Sequence, residues 1–310
     1  MAKKKRWGKT FVDTRDWKVE NEKYVVRGMF LLDLEWIKSW DKEIAEMNRG
    51  KCGAPYEFPE SLIRFLAILQ QWVNVRGLEG ICRRLCRYTS LPKYCDFSTI
   101  CRRINKIDTA FILPTEGDIS AATDGTGFKM TSRGEYKETL YGDGKKKYLK
   151  VTTTSNSRGK KLLDIDVSVD GEGDSEPEVA MSHLESLVRL GYTIEDFGGD
   201  GAFDVHALFD LLDQYGIRSG IKIRKNASVD EDGNGSWRRR QEVLKYRKKD
   251  YRKWAKDAEY GMRWPGTEGI FSAVKRIFGE GTKGKNIKTM AHELKRRFWA
   301  YDRMCNYAEA

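Results

Sequence analysis

Histidine is scarce in this sequence, and long apolar runs are missing from it. Only three histidines occur among 310 residues, and none of them forms a convincing nucleophile–base set with a serine or a cysteine. No apolar run approaches the roughly 20 residues that a membrane-spanning helix needs. The basic N-terminal segment MAKKKRWGKTF is not followed by the apolar core of a signal peptide. These absences argue against Ser-His or Cys-His catalysis and predict a cytoplasmic protein.

Cysteine is sparse too, with six residues in the whole chain. In a cytoplasmic protein of this length, the simplest interpretation is that all six are reduced thiols. Cys82, Cys86, Cys95 and Cys101 lie close together, and the first two are spaced so that one helix would present both to a zinc ion. The spacings match no common zinc knuckle, so we favour packing in the core and keep zinc binding as the alternative.

The charge balance indicates an acidic partner. The composition, 40% hydrophobic and 33% charged, is that of a globular protein, and the formal net charge is +11. Nine tryptophans and fourteen tyrosines, many of them interleaved with lysine and arginine, favour nucleic acid as that partner. A basic ribosomal or chaperone-like protein would have the same charge, so composition alone does not decide.

Residues 1–115 form a predicted helical region. Apolar residues recur at helical spacing in LDLEWIKSWDKEIAEMN, SLIRFLAILQQWV and LEGICRRLCRY. After a turn containing proline, STICRRINKI is a short helix that Ser98 would cap, with Arg102, Arg103 and Lys106 projecting outward. This outline is that of a helix-turn-helix DNA reader. The alternative is an ordinary helical bundle with a solvated basic face.

From residue 116 the pattern changes to strands alternating with helices. Three strands come first, and in the third, KLLDIDVSVD, residues Leu163, Ile165 and Val167 would share one face. A helix, a strand, a helix and a strand follow, and the last helix begins at Glu268. This order predicts an α/β, ribonuclease H-like mixed sheet flanked by helices over residues 116–310, with a basic insertion at about 224–262.

Two aspartates stand at predicted strand ends. Asp124 follows a run of small apolar residues, and Asp200 ends a strand inside GGDGAFD. Sites in such sheets form beyond the carboxyl ends of strands, although Asp-Gly at position 124 is equally typical of a hairpin turn. Asp204 is interpreted as the N-cap of the next helix. Asp164 and Asp166 are interpreted as outward strand residues.

Glu268 opens a helix whose apolar stripe is broad. Glu268 and Lys275 fall within about 20° of each other at the margin of this stripe, from the 100° that separates successive helical residues. That position suits a carboxylate that faces metal and a lysine that faces phosphate. The simpler interpretation is a carboxylate favoured by the helix dipole, in a first turn capped by Thr267.

These segments resemble the DDE transposases of prokaryotic insertion sequences. TDGTG is similar to the first-aspartate segment and GDGAFD to the second, while YGMRWPGTEGIFSAVKRIFGE resembles the signature around the catalytic glutamate. In that signature the family residues would be Tyr260, Arg263, Glu268 and Lys275. Four residues separate Arg263 from Glu268 where the family usually has three. The segment from Gly53 to Leu85 also resembles the family's DNA-binding region.

The resemblance implies a mechanism and a set of ligands. Asp124 would bridge two Mg²⁺ ions, for which Mn²⁺ can substitute, while Asp200 and Glu268 would each bind one. Water would cleave the ends of the insertion sequence, and each freed 3′-hydroxyl would then attack target DNA. The partners would be double-stranded terminal inverted repeats and target DNA. The protein would act as a homodimer on DNA, at the nucleoid in the cytoplasm.

The predicted insertion is rich in cations and aromatics. Trp237, Tyr246, Tyr251 and Trp254 would stack on exposed bases. The cations expected to neutralise phosphates are Arg238, Arg239, Arg240, Lys248, Lys249 and Arg252. A solvated basic helix is the simpler interpretation.

Two other functions remain open at this point. The first is a ribonuclease H-like DNA nuclease that cleaves without joining ends. The second is a non-catalytic DNA-binding relative, against which the three acids argue.

Overall fold

The N-terminal part of the computed structural model is helical. The structure describes residues 15–115, 118–130, 148–229 and 235–309, so the basic segment 1–11 lies outside it. The helices are α1 (Trp17–Phe30), α2 (Trp40–Asn48), α3 (Glu60–Leu69), α4 (Val75–Tyr88) and α5 (Phe97–Ile104). A 3₁₀ turn, Glu35–Ser39, precedes α2, so the single helix expected from LDLEWIKSWDKEIAEMN is divided.

Asp96, and not Ser98, caps α5. Asp96 has an extended backbone conformation, and its carboxylate accepts hydrogen bonds from the backbone N–H groups of Ser98, at 2.9 Å, and Thr99, at 3.0 Å. These two donors have no partner within the helix, which is why a carboxylate at this position stabilises the first turn. The prediction that Ser98 is the cap was therefore wrong by two residues.

The second half of the chain forms a five-stranded mixed sheet. Its strands are β1 (Ile119–Lys129), β2 (Tyr148–Asn156), β3 (Lys161–Val169), β4 (Ile194–Gly199) and β5 (Arg218–Ile221), in the spatial order β3-β2-β1-β4-β5. β1, β4 and β5 run parallel to one another, and β2 is antiparallel to β1 and β3. β1 is the central strand, and because β4 is its parallel neighbour, the two strands run in the same direction side by side.

Helices cover the sheet. They are α6 (Glu176–Arg189), α7 (His206–Gln214), α8 (Trp237–Lys248), α9 (Tyr251–Asp257), the single turn α10 (Arg263–Gly266), α11 (Glu268–Phe278) and α12 (Ile287–Tyr307). Strand order, strand direction and helix placement are those of the ribonuclease H-like fold, which confirms the predicted fold class. Within the described ranges, no helix combines the length and apolarity that crossing a membrane requires.

The predicted alternation of β3 holds for most of the strand. Ile165 and Val167 face the core formed with α11 and α12, but Leu163 packs on the opposite face, where α6 lies. The pairing with β2 shifts between Thr154 and Ser155, so that β3 has one extra residue there. An extra residue reverses the alternation, and the placement of Leu163 with Ile165 was therefore wrong.

Each face of the sheet has its own apolar core. One core joins β1–β3 to α11, α12 and the N-terminal helices, and includes Leu66, Ile100, Phe128, Phe271 and Phe298. The other lies under α6, α7 and α8. Since the first core is shared between the helical region and the sheet, the two regions pack as neighbours with no solvent layer between them. The division into residues 1–115 and 116–310 stays a prediction.

α12 was not predicted, although it is the longest described helix. It carries the fully buried Phe298 and Trp299. Its buried Arg297 pairs with Glu293 at 2.7 Å and donates hydrogen bonds to the carbonyls of Gly279, at 3.0 Å, and Gly281, at 2.6 Å. These bonds satisfy a buried cation and hold the segment that follows α11, so α12 fixes the far end of α11.

Asp302 on α12 provides a test of this packing. Burial raises the pKa of this carboxyl to about 6, against the lowering effect of a hydrogen bond from the backbone N–H of Ile112. A raised pKa in the folded state means that Asp302 favours folding at low pH and that this benefit is lost as the pH rises from about 4 to 6. We therefore expect the stability of Asp302→Asn relative to the parent to increase from pH 4 to pH 7 by up to about 3 kcal/mol.

Urea unfolding at the two pH values measures this change, and comparing the change with pH cancels any constant cost of the amide. Asp210→Asn, at an exposed position on α7, is the control and should give no comparable change. A relative stability of Asp302→Asn that is independent of pH would contradict the prediction.

Candidate active site

Asp124 and Asp200 come together on two neighbouring parallel strands. Asp200 directly follows β4, but Asp124 is the sixth of the eleven residues of β1 and pairs with Thr153 of β2, so the predictions that it ends a strand or lies in a hairpin turn were wrong. β1 and β4 are paired in parallel, with Ala122 opposite Gly198. Asp124 and Asp200 each lie two residues further along, so the register brings them side by side just beyond the last paired residues. Asp200 also begins a short 3₁₀ turn, in which its carboxylate accepts a hydrogen bond from the N–H of Ala202 at 2.7 Å.

The Asp124 carboxylate is largely shielded from solvent. Its side chain is 19% exposed. Burial raises its pKa to about 6, against the lowering effects of the N–H of Gly125 and of Arg263, and the nearby charges of Asp200 and Glu176 add to the increase. A carboxylate that is desolvated and close to another carboxylate is electrostatically under-compensated. This arrangement is typical of a cation site or a catalytic site.

Arg263 is the nearest cation to Asp124. Its Nη1 lies 4.0 Å from Oδ2 of Asp124, and its Nη2 donates to the hydroxyl of Tyr260 at 2.9 Å. The Arg263 side chain packs against the backbone of β4 at Gly198. Both Arg263 and Tyr260 are buried, each 7% exposed. They therefore lie inside the site and not on a free surface.

Two nitrogens of Arg263 are left without a hydrogen bond. Among the described residues, neither Nε nor Nη1 has a hydrogen-bond partner, although both are buried. Buried donors that stay unpaired are costly. The Arg263 guanidinium is therefore available for an additional acceptor close to Asp124.

α11 brings Glu268 to the same level of the sheet. Gly266 lies against Ser155, which pairs with Ala122, and Lys275 lies over the ring of Phe128 with 5.1 Å between its Nζ and the ring centroid. α11 therefore runs along β1 in the same direction, and its first residue falls at the height of Asp124. Glu268 is exposed.

The three acids do not form a closed cluster. Asp124 and Asp200 are adjacent, whereas the exposed Glu268 carboxylate is not among the charges that act on Asp124. Within the part of the chain that the structure describes, no three His, Cys, Asp or Glu side chains are grouped closely enough to hold one metal ion. The structure thus brings two of the predicted acids together and places the third on the first turn of the facing helix.

Thr267 does not cap α11. It is fully buried, its backbone is outside the usual capping conformation, and its hydroxyl donates to the carbonyl of Arg263 at 3.1 Å. The simpler interpretation of Glu268 as part of a side-chain-capped first turn is therefore wrong in that respect. The bond to the carbonyl of Arg263 instead links the turn that holds Arg263 to the helix that begins at Glu268.

Glu176 is a carboxylate near this site that sequence reasoning missed. It begins α6, and its side chain lies so close to Gly125 that any side chain at that position would collide with it. Lys150 of β2 pairs with it at 3.2 Å. A side chain at position 125 would displace the flexible end of Glu176, so Gly125 favours this arrangement without requiring it.

Asp204 has a structural role that differs from the predicted cap. Its fully buried carboxylate accepts from Nε of Arg239 at 2.6 Å and from the N–H of Arg224 at 2.9 Å. The residue before α7 is Val205, so the N-cap prediction was wrong. Because Arg239 is committed to this buried pair, it is placed inside the protein and does not contribute to an outer DNA-binding surface.

The aromatics of the insertion point inward, with one exception. Trp254 is 6% exposed and contacts the rings of Tyr246, Tyr251 and Tyr260, with centroid separations of 5.1, 6.1 and 5.2 Å. The prediction that all four insertion aromatics stack on bases is therefore wrong for the buried Trp254, while Tyr246 and Tyr251 are partly buried. Trp237 is 66% exposed and keeps that prediction open.

The other predicted DNA-binding cations differ in exposure. Arg102, Lys106, Lys248 and Arg252 are exposed, and Arg238 and Arg240 are half-buried. Lys249 is exposed but pairs with Asp257 at 2.7 Å, and Arg103 pairs with Glu60 at 2.7 Å. The α5 cations line a groove of about 880 Å³ between α5 and the segment around Tyr56. The free cations thus form two surfaces, one on α5 and one on the insertion.

The cysteines pack in the helical region. Cys82 and Cys95 are buried, and burial raises the pKa of their thiols to about 11 and about 12. A zinc ligand must be a thiolate, which this environment disfavours. Cys101 is exposed and Cys86 only partly buried. These positions support the packing interpretation for Cys82 and Cys95.

The close contact at Gly266 gives a test of how α11 is held. A methyl group at this position would lie 2.9 Å from Oγ of Ser155 and 3.2 Å from Cα of Ser157. We expect Gly266→Ala to push the start of α11 away from β2 and to destabilise the fold by about 1–3 kcal/mol, as overpacking does. The free energy of unfolding in urea measures the effect.

Gly269, three residues further on, is the matched control. A methyl group there meets only the carbonyl of Trp264 at 3.5 Å, an ordinary contact. Because alanine favours helix more than glycine does, Gly269→Ala should be neutral or stabilising. Equal stabilities of the two variants would show that the contact with β2 does not constrain α11.

Comparison with known families agrees with this arrangement. One family model, described as a transposase DDE domain, matches residues 117–301, and a second model with the same description matches residues 25–133. No curated protein matches the chain. The first match covers more than half of the chain and contains Asp124, Asp200 and Glu268. The chain belongs to the transposases with a DDE domain.

Proposed function

We propose that this protein cleaves the ends of an insertion sequence and joins the freed 3′-hydroxyls to target DNA. The observation that carries the proposal is that Asp124, in the middle of β1, and Asp200, directly after β4, lie side by side in a ribonuclease H-like sheet. The DDE family membership points the same way. A metal-dependent DNA-cutting activity follows from the family, whereas strand transfer and the residue roles are our proposal.

The chemistry of the site fits a divalent cation. Asp124 and Asp200 supply hard oxygen ligands, which Mg²⁺ and Mn²⁺ prefer. Among the described residues, the cation that pairs with Asp124 is Arg263, at 4.0 Å. A pair of Mg²⁺ ions bound there would supply activation of the attacking oxygen and stabilisation of the leaving one. Two carboxylates carry more negative charge than the single Arg263 guanidinium neutralises, so bound divalent cations would balance the remainder.

The residues of the chain have distinct proposed roles. Asp124 from the middle of β1 and Asp200 from the end of β4 would hold the metal, and Glu268 would complete the site by turning inward from the exposed first turn of α11. Lys275, half-buried over Phe128, lies further along the same groove, where it binds a phosphate. Arg263 offers its unpaired nitrogens to the phosphate nearest to Asp124.

DNA would be held by the exposed cations. Arg102 on α5 and Lys106 just after it, together with Arg240, Lys248 and Arg252 on the insertion, neutralise phosphates of the inverted repeat and the target. We propose that a homodimer handles the two ends together, at the nucleoid. The α5 region acts as the helix-turn-helix reader in this proposal.

Removal of each acid is the direct test. We expect Asp124→Ala, Asp200→Ala and Glu268→Ala each to abolish Mg²⁺-dependent cleavage of DNA that carries the terminal repeats, while DNA affinity stays within a few-fold of the parent. Asp210→Ala, an exposed acid on α7, is the control and should cleave normally. Any of the three variants that retains cleavage removes that residue from the site.

A second assay separates transposition from simple nuclease activity. Incubation of pre-cleaved ends bearing 3′-hydroxyls with target plasmid and Mg²⁺ should yield joined products in the parent but not in Asp124→Ala. Cleavage of intact ends without joining would instead support a nuclease. Binding without cleavage or joining would support a non-catalytic relative.

A further inference from the structure

The insertion contains a row of aromatic rings that ends at the candidate active site. Tyr246 of α8 and Tyr251 of α9 contact Trp254, and Trp254 contacts Tyr260 with 5.2 Å between ring centroids. We define the ladder as Tyr246, Tyr251, Trp254 and Tyr260. Its members are buried or half-buried, so they are packed against one another and not spread over a DNA-facing surface.

The last ring of the ladder holds Arg263 in two ways. The guanidinium carbon of Arg263 lies 4.5 Å from the centroid of the Tyr260 ring, and Nη2 donates to the Tyr260 hydroxyl at 2.9 Å. Stacking and a hydrogen bond together fix both the plane and the direction of the guanidinium. The guanidinium group of Arg263 is thereby oriented so that its Nη1 lies 4.0 Å from Oδ2 of Asp124.

Arg263 has no other firm support for its head group. Gly198, beneath its side chain, offers backbone only, and Nε and Nη1 have no hydrogen-bond partner among the described residues. The guanidinium direction therefore depends on Tyr260. The direction of Tyr260 in turn depends on Trp254, the one ladder ring that is 6% exposed and contacts all the others.

We propose that Trp254 is a positioning residue that sets the guanidinium of Arg263 beside Asp124 through Tyr260. The proposal rests on the proposed function, in which Asp124 holds metal. Through the ladder, α8 and α9 also connect the exposed cations Lys248 and Arg252 to the site. The insertion thus acts as a brace for the active site in addition to any contact with DNA.

Trp254→Ala removes the ring that supports Tyr260 and leaves Arg263 free to turn. We expect the first-order cleavage rate of bound DNA to fall by about 10- to 100-fold, since small displacements of a site group have effects of that size. The dissociation constant for DNA should change by less than about threefold. Trp254→Phe retains an aromatic ring and should restore most of the rate.

A second readout follows Arg263 itself and does not depend on catalysis. Modification by phenylglyoxal, with mass spectrometry of the peptides, measures how accessible each arginine is. Arg263 is protected by burial in the parent and should react at least several-fold faster in Trp254→Ala, but not in Trp254→Phe. Arg297, 1% exposed on α12, reports general unfolding and should stay protected.

Val243→Ala is the matched control. Val243 is fully buried on α8 and packs in the core beneath β4 and β5, which among the ladder residues only Tyr246 touches. It should loosen the insertion without changing either the cleavage rate or the reactivity of Arg263 by more than about twofold. If Val243→Ala and Trp254→Ala change the cleavage rate and the reactivity of Arg263 equally, Trp254 has only a structural role.

The outcomes separate this inference from the proposed function. If the parent does not cleave, the proposed function fails, while the reactivity of Arg263 still tests the ladder. If the parent cleaves and Trp254→Ala leaves both the rate and the reactivity of Arg263 unchanged, the positioning role of Trp254 is overturned.

Discussion

The parallel pairing of β1 with β4 is the constraint on which the site depends. The pairing of Ala122 with Gly198 fixes the register. Two residues further along each chain, this register places the Asp124 and Asp200 carboxylates next to each other. Backbone hydrogen bonds make this placement rigid, because a shift by one residue would send one carboxylate to the opposite face. The backbone pairing of the sheet, and not flexible loops, thus holds Asp124 and Asp200 together against the repulsion between their carboxylates.

The other parts of the site are arranged around this fixed pair. Gly266 allows α10 and α11 to approach the sheet closely, which brings Arg263 near Asp124 and Glu268 to the same height. The buried pair of Arg297 with Glu293 holds the far end of α11. Asp204 and Arg239 anchor the insertion in the same manner. Buried ion pairs of this kind are weak evidence for stability but strong constraints on geometry.

Much of the fold could be predicted because it depends on local patterns. The order of strands and helices along the chain followed from apolar alternation and the positions of glycine, and Asp200 followed from its place at a strand end, whereas Asp124 lies in the middle of β1. The predictions that were wrong depend on which of several locally equivalent residues makes a contact, or on contacts with another part of the chain. Asp96 and Ser98 are both good caps, and the extra residue in β3 that moves Leu163 depends on pairing with β2. Arg239 and Trp254 were taken for surface residues because composition records a basic, aromatic stretch and does not record which side is buried. The roles of all three acids in catalysis remain predictions.

The position of α12 has a consequence for biosynthesis. Phe298 and Trp299 complete a core that also contains residues from α3, α5 and β1, so elements made early in translation wait for residues 287–307 before their shared apolar surface is covered. Until then the nascent chain exposes Phe128 and Phe271, a condition that favours association with chaperones or with other unfinished chains. Ribosomes that stop before this helix would therefore release products that are prone to aggregate, and the yield of folded protein would depend on how completely each message is translated.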